Sequence, residues 1–267
     1  MDTVTRKSVA QEPDLLFNQS VEKGLAVLCA FNEQRRTMTL ADVAEAVEIT
    51  KSSAQRMIHT LEQLGYVRRH PQTKRYQLTP RVMRIGLNYL AANGLIELAT
   101  PFLSQLSRQT NETCNLTEPD GTELVYVSRF VSAKYVPIHM PVGSRIPMYC
   151  SSSGRAYLSS LQPEEARALL MQSNRVARTM HTITDVDEIM KMMELIRRKG
   201  YATSSEETFL GDMAIGAAIV GSDGYPLGAI HIVAPTSRWT MPDAEQQLAP
   251  SLIECARSIS RAARTLS

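Results

Sequence analysis

Cysteine is scarce in this 267-residue chain: Cys29, Cys114, Cys150 and Cys255 stand far apart, with no CxxC and no paired histidines. That spacing suggests neither a zinc site nor a disulfide framework, and four reduced thiols are the expected state. Nothing in the pattern asks for a metal or a cofactor. Long apolar runs are also missing. No segment approaches the roughly 20 residues of a membrane span, and the opening stretch MDTVTRKSVAQEPDLL is too polar for a signal peptide. No membrane partner and a cytoplasmic location are therefore expected. Net charge is small as well, +2 from 29 basic and 27 acidic residues, which excludes a generic polycation. What is present, 43% hydrophobic and 21% charged residues, suits a globular chain that buries a core. The length leaves room for a domain of about 65 residues and a larger one of about 170.

The small total hides a local imbalance. Over residues 50 to 84, Lys51, Arg56, Arg68, Arg69, Lys74, Arg75, Arg81 and Arg84 face Glu62 alone, a charge of +7. The same region carries a clear pattern. Leu40, Val43, Ala44 and Val47 recur at helical spacing behind Thr39, a capping residue. Glu48 and Ile49 leave a tight turn before a second cap, Thr50. Behind it Ala54, Met57, Ile58, Leu61 and Leu64 form an inward stripe, while Lys51, Ser52, Ser53, Gln55, Arg56, His59 and Gln63 face out. Gly65 stops the helix cheaply. Tyr66 to His70 and Arg75 to Leu78 read as two strands around the turn at Pro71 to Lys74. Helix, turn, helix and hairpin predict a winged helix-turn-helix, with double-stranded DNA as its partner. Lys51, Ser52, Ser53, Gln55, Arg56 and His59 on the second helix, with Arg69, Lys74 and Arg75 on the wing, are the candidate contacts: Arg and Lys neutralise phosphates, and Gln, Ser and Arg can read base edges. The plain alternative is a solvated helix on a small domain.

Elsewhere, residues 1–15 read as a disordered tail, and Ser20 to Phe31 as the first helix of the DNA-binding unit, residues 16–79. Thr79-Pro80 starts a connector helix, Arg81 to about Ala92, within residues 80–95. Residues 96–267 form the larger domain. A helix near Ile96 to Thr110 leads to strands at 114–118 and 123–130 around Pro119-Asp120-Gly121, and a third strand is expected at Tyr135 to Met140. Helices at about Ser153 to Ser160, Pro163 to Gln172 and Val186 to Lys199 precede two strands, Met213 to Val220 and Leu227 to Val233, which flank Ser222-Asp223-Gly224. A closing helix over Asp243 to Thr265 is expected to kink or split at Pro250. Strands in a meander with helices at both ends indicate an α+β domain with an antiparallel sheet.

Three strings in this order resemble the IclR family of bacterial transcription regulators: the helix-turn-helix just described, GSRIPMYCSSSGRAYLSSL at 143–161, and GYATSSEETFLGDMAIGAAIVGSDGYPLGAIHIVAP at 200–235. The resemblance covers about Val21 to about Thr265. It implies a winged helix, a linker helix that helps pair subunits, and a GAF-like C-terminal domain that binds a small organic acid or aromatic effector, in a homodimer or dimer of dimers. One departure is Ala217-Ala218-Ile219 where the family usually has Ala-Ala-Pro, a change expected to alter edge geometry and the pocket wall.

Cys150-Ser151-Ser152-Ser153-Gly154 precedes a predicted helix, where free amides and hydroxyls could cradle an anion; equally, the serines could merely cap their own helix. The resemblance maps effector contacts onto Ser152 and Ser153, and onto positions matching Ser204 and Ala214. In LGAIHIV, alternation sets His231 on a face with Ala229 and Val233, where it either bonds within the core or donates to the effector, to its carboxylate when protonated. The adjacent pair Glu206-Glu207 points apart on an extended segment and reads as structural. An enzyme using the Cys150 thiol is the competing class, but no base lies close in sequence. A ligand-free architectural DNA-binding protein is the other.

Overall fold

The computed structural model describes residues 16–134 and 140–264. The tail expected over 1–15, the strand expected at Tyr135 to Met140 except its last residue, and Thr265 lie outside them. Met140 itself belongs to no strand. The chain divides into two compact units, Met1–Ala91 and Ala92–Ser267.

The first unit is a three-helix core with a hairpin. Asn18 caps α1 (Gln19–Ala30) by accepting from the Ser20 and Val21 amides. Thr39 and Asp42 close a reciprocal capping box on α2 (Leu40–Ala46), and Thr50 caps α3 (Lys51–Gln63) through the Ser53 amide. Gly65, at φ +77°, adopts the left-handed conformation that ends α3. Strand β1 (Val67–Arg69) pairs antiparallel with β2 (Tyr76–Leu78), both shorter than expected. Val27, Phe31, Val43, Ala54, Ile58, Leu61, Val67 and Tyr76 form one buried cluster. Leu64, expected inside, is 49% exposed, in a groove that it lines with Val21, Leu25, Leu28 and Met57.

Pro80–Val82 form a 3-10 turn, not the α-helix expected from Arg81, and α4 runs Met83–Ala92. No residue of α4 is buried.

The second unit holds a six-stranded antiparallel sheet in the order β5-β4-β3-β8-β7-β6. Its strands are β3 (Cys114–Asp120), β4 (Glu123–Phe130), β5 (Arg145–Pro147), β6 (Ala202–Ser205), β7 (Met213–Val220) and β8 (Pro226–Val233). Both edge strands, β5 and β6, were absent from the sequence reading. Its helices are α5 (Gly94–Thr110), α6 (Ser152–Ser159), α7 (Pro163–Gln172), α8 (Val186–Lys199) and α9 (Met241–Ala263). Pro250 lies inside α9, which continues through it as one helix rather than two segments.

Register decides what each face carries. Cys114 pairs with Ile232, and Leu116 and Ala217 both pair with Ile230, so one face is aliphatic and packs on α5 and α9. The opposite face carries Asn115, Gly216 and His231 in one row, against α6. Ile219, the family departure, shares the aliphatic face with Ile215 and Ala217. It therefore does not wall the α6 side, contrary to expectation, although the register does shift after it, between Ile219 and Val220.

Candidate functional site

On α3, Lys51, Ser52, Gln55, Arg56 and His59 are exposed and Ser53 is half-buried, so the polar face expected from the spacing is one contiguous surface. Lys74 sits exposed at the hairpin tip with φ +58°. Arg69 lays its guanidinium 5.6 Å over the Tyr76 ring, with Nε donating to the Lys74 carbonyl at 3.3 Å. Arg75 has a different position from its wing neighbours. Its Nε donates to Thr37 Oγ1 at 3.0 Å, and its Nη2 to Thr37 O and Asp42 Oδ2, both at 2.9 Å. Backbone and side-chain bonds from Thr39, aided by Arg75, hold the Asp42 carboxyl below its usual range. Arg75 thus pins the hairpin to the cap of α2, partners that lie over thirty residues away and carry no local signal.

In the second unit, Ser151 Oγ accepts from the Gly154 amide at 3.2 Å and donates to Pro147 O at 2.6 Å. It serves its own helix, the plainer of the two readings. The first turn of α6 lies directly on β7: a Cβ on Gly216 would stand 2.6 Å from Ser152 C and Ser153 N. These amides are therefore covered by strand backbone and do not form an open cradle. Ser153 Oγ, however, is buried without a hydrogen-bond partner. Cys150 is buried with Sγ 3.8 Å from Thr208 Oγ1, and burial pushes its thiol pKa up, away from a reactive thiolate. Ser204 on β6 pairs with the buried Ala214 on β7.

His231 is 3% exposed and edge-on to Tyr126, with ring centroids 5.3 Å apart. Arg129 Nε donates to Asn115 Oδ1 at 2.9 Å, which leaves Asn115 Nδ2 to donate to His231 Nε2 at 3.0 Å. Nε2 must then be the acceptor, and the network assigns the ring proton to Nδ1. Nδ1 is buried without a partner. Burial, with Arg129 second, pushes the imidazole pKa down to about 3. Of the two ways in which His231 could donate, the protonated one is disfavoured, because burial holds the ring neutral.

Beside this row, Arg129 and Asp212 line a narrow cavity walled by Asn115, Tyr126, Met140, Ile146, Phe209 and Val233. Burial alone pushes the Asp212 carboxyl up to about 7. The sequence reading missed Asn115, Tyr126, Arg129 and Asp212. Strand parity could have found Arg129, since Asn115 pairs with both Arg129 and His231; Asp212, in the loop before β7, has no such signal.

The model of the IclR helix-turn-helix domain matches residues 20–71, and that of the bacterial transcriptional regulator IclR C-terminal domain matches residues 87–261. The chain belongs to the IclR family. It is a transcriptional regulator whose first unit is a DNA-binding helix-turn-helix, and it is not an enzyme: curated relatives of this IclR-family chain are named as regulators or repressors. It is 30% identical over 249 residues to the Pca regulon regulatory protein of Pseudomonas putida, covering 93% of this chain and 84% of that protein. The crystal structure of an IclR regulator from Alicyclobacillus acidocaldarius matches with a TM-score of 0.79 at 26% identity, over 92% of this chain and 98% of the other. An IclR homolog from Microbacterium hydrocarbonoxydans, complexed with 4-hydroxybenzoate, shares the fold at a TM-score of 0.75 and 22% identity, over 93% and 100% of the two chains. Among the described residues, no helix is long and apolar enough to cross a membrane.

Proposed function

We propose that this IclR-family regulator binds operator DNA as a homodimer or dimer of dimers, and that a small organic acid or aromatic metabolite seated against the α6 side of the sheet alters that binding. The observation that carries the effector reading is the pair of buried orphans, Ser153 Oγ and His231 Nδ1. Gly216, opposite His231 in the ladder, lies against the Ser153 backbone amide, so the two residues that carry the orphans stand on adjoining elements. Buried polar atoms are normally satisfied, and leaving one unpaired costs about 1 to 3 kcal/mol. A ligand oxygen that accepts from His231 Nδ1–H and Ser153 Oγ–H relieves both. Ser152, Ser204 and Ala214 complete the proposed surroundings, with Cys150 and Ser151 behind them. The homolog that carries 4-hydroxybenzoate makes that compound the natural first probe. Coupling to DNA is reciprocal, so operator DNA alters effector affinity as much as effector alters DNA affinity.

The test is calorimetric titration of 4-hydroxybenzoate into wild type and His231→Ala, after circular dichroism has verified the fold. Loss of the neutral bond is expected to weaken binding by about 1 to 3 kcal/mol, roughly five- to a hundredfold, while ligand-free operator affinity stays unchanged. Equal dissociation constants return His231 to a purely structural role.

For DNA, α3 is the proposed reading element and the wing tip a phosphate contact. Arg56→Ala is expected to cost about 1 to 3 kcal/mol if its guanidinium is bidentate to a base, and to relax specificity at that position. Lys74→Ala is expected to weaken all sequences alike and to lower the salt slope by about one. Band-shift titrations on an operator selected from random duplexes separate the two; undiminished binding after Arg56→Ala removes it from the contacts. With Arg75 committed to Thr37 and Asp42, its loss is expected to act through the stability of the winged helix as well.

Assembly rests on α4. Met83 and Leu87 on one side of it, and Ile85 and Tyr89 on the other, are each more than half exposed, apolar side chains on both sides of the helix that a second copy covers. Replacing Ile85 and Leu87 together by Glu is expected to yield monomers in sedimentation velocity at micromolar concentration. Unchanged sedimentation moves the interface elsewhere.

A further inference from the structure

Resting on the DNA reading above, we propose that Asp42 and Arg75 are positioning residues for operator binding: the carboxylate on α2 holds the wing so that Lys74 reaches a phosphate, and Arg75 serves this clamp rather than the DNA. An acidic side chain beside a basic hairpin repels phosphates, so its place there calls for a reason. The geometry supplies one. Asp42 Oδ2 accepts from two donors at 2.9 Å each, the Thr39 amide at the start of its own helix and Arg75 Nη2 from the wing. Arg75 also donates from Nε to Thr37 Oγ1 and from Nη2 to Thr37 O. One residue along on each segment, the Met38 amide donates to Tyr76 O at 2.9 Å and the Tyr76 amide to Met38 O at 2.7 Å. Backbone and side chains together thus fasten the hairpin to residues 37–42.

The tip of the hairpin is closed on itself and so transmits this fastening. The His70 amide donates to Arg75 O at 2.8 Å and the Lys74 amide to His70 O at 3.0 Å, while His70 Nδ1 accepts from the Gln72 and Thr73 amides at 3.3 and 3.2 Å. Lys74 stands on this turn next to Arg75, and the two move as one piece. At the other end, α2 is joined to α3 through Val43, Ala54 and Ile58 of one buried cluster. The contacts therefore run from α3 to α2, to Asp42, to Arg75 and on to Lys74, and the clamp sets where the wing cation stands relative to the reading helix. The paired side chains are 39% and 42% exposed, and an ion pair that open adds only modestly to stability. What it fixes is orientation. Lysine does not replace arginine here, because one ammonium stands in for two separate guanidinium nitrogens.

Band-shift titrations of the full-length protein over a series of salt concentrations, on an operator selected from random duplexes, test this through double-mutant cycles, with circular dichroism reporting the fold. On charge alone, Asp42→Ala removes a repulsion and tightens binding. The expected result has the opposite sign: Asp42→Ala and Arg75→Ala each weaken binding by about the factor seen for Lys74→Ala, and each makes the salt slope shallower by about one. Arg75→Lys, which keeps the charge, is expected to do the same. Adding Lys74→Ala to any of the three costs nothing more, whereas adding Arg56→Ala still costs its full factor, because α3 stays in place. Arg75→Ala leaves the capping box of α2 intact, so it reads the clamp without the cap. Unchanged or tighter binding by Asp42→Ala, wild-type binding by Arg75→Lys, or losses that add to that of Lys74→Ala overturn the proposal, and Arg75 is then itself a phosphate contact. Loss of the Arg56 contribution in the clamp variants overturns it too, since the whole unit has then loosened. If Lys74→Ala alone changes neither affinity nor salt slope, the wing contact of the DNA reading fails and takes the proposal with it.

Discussion

Gly154→Ala is expected to destabilise the C-terminal unit strongly. An added Cβ at Gly154 would lie 2.3 Å from Met148 Cα and 2.4 Å from its carbonyl oxygen. Glycine inside a helix ordinarily costs about 0.5 to 1 kcal/mol relative to alanine, so on propensity alone this change would stabilise α6. Close approach reverses the sign, because the obstructing atoms are backbone and cannot rotate away. Overpacking a tight interior typically costs about 1 to 3 kcal/mol, and a clash with backbone belongs at or above the top of that range. Gly216→Ala is expected to behave alike, its Cβ colliding with the first turn of α6 from the sheet side. Gly154 lets α6 lie close to the Met148 backbone, and Gly216 lets the first turn of α6 lie close on β7. Thermal unfolding of the full chain reads the effect. An unchanged or raised Tm in either variant shows that α6 has room to move, and that the packing argued here is wrong.

The parts legible in the sequence are those whose cause is local. Caps at Thr39 and Thr50, the stop at Gly65 and the stripe at Ala54, Ile58 and Leu61 all act within a few residues, so the helix-turn-helix reads directly. Alternation in LGAIHIV likewise set His231 on the right face. Legibility ended where long-range pairing decides. Strand β5 is three residues long and carries Pro147, and it exists because β4 offers an edge. Asn115, His231 and Arg129 become a row only through ladders that join positions 116 residues apart. Arg75 read as a wing cation because Thr37 and Asp42 are remote in sequence. His231 could not be read as neutral, since its protonation state follows from burial and from Asn115. Pro250 was expected to kink α9 or split it in two; it does not split, since a helix packed on the sheet along Leu248, Leu252 and Ile259 tolerates the loss of one amide donor.

Glu207→Ala is expected to be the most damaging single change outside the glycines. Arg155 is 1% exposed on α6, and its Nη1 and Nη2 meet Glu207 Oε1 and Oε2 as a two-pronged pair, while Nε donates to Tyr149 O at 3.0 Å. Glu207 Oε2 also accepts from the Ile183 amide at 3.1 Å. The pair therefore joins α6 to the loop that carries Phe209 and Asp212 into the cavity. Removing one partner leaves an uncompensated charge in the interior, a loss of about 3 to 5 kcal/mol. Removing both is different, since replacing a buried ion pair by well-fitting apolar residues is often neutral. Arg155→Met combined with Glu207→Leu is accordingly expected to recover most of the stability lost in Glu207→Ala, measured by urea unfolding. If stability recovers while 4-hydroxybenzoate affinity does not, the pair's role is to set the loop against α6 and so shape the cavity. If the double variant is as unstable as the single one, the hydrogen bonds to Tyr149 and Ile183, rather than the charge pairing, hold this part of the fold.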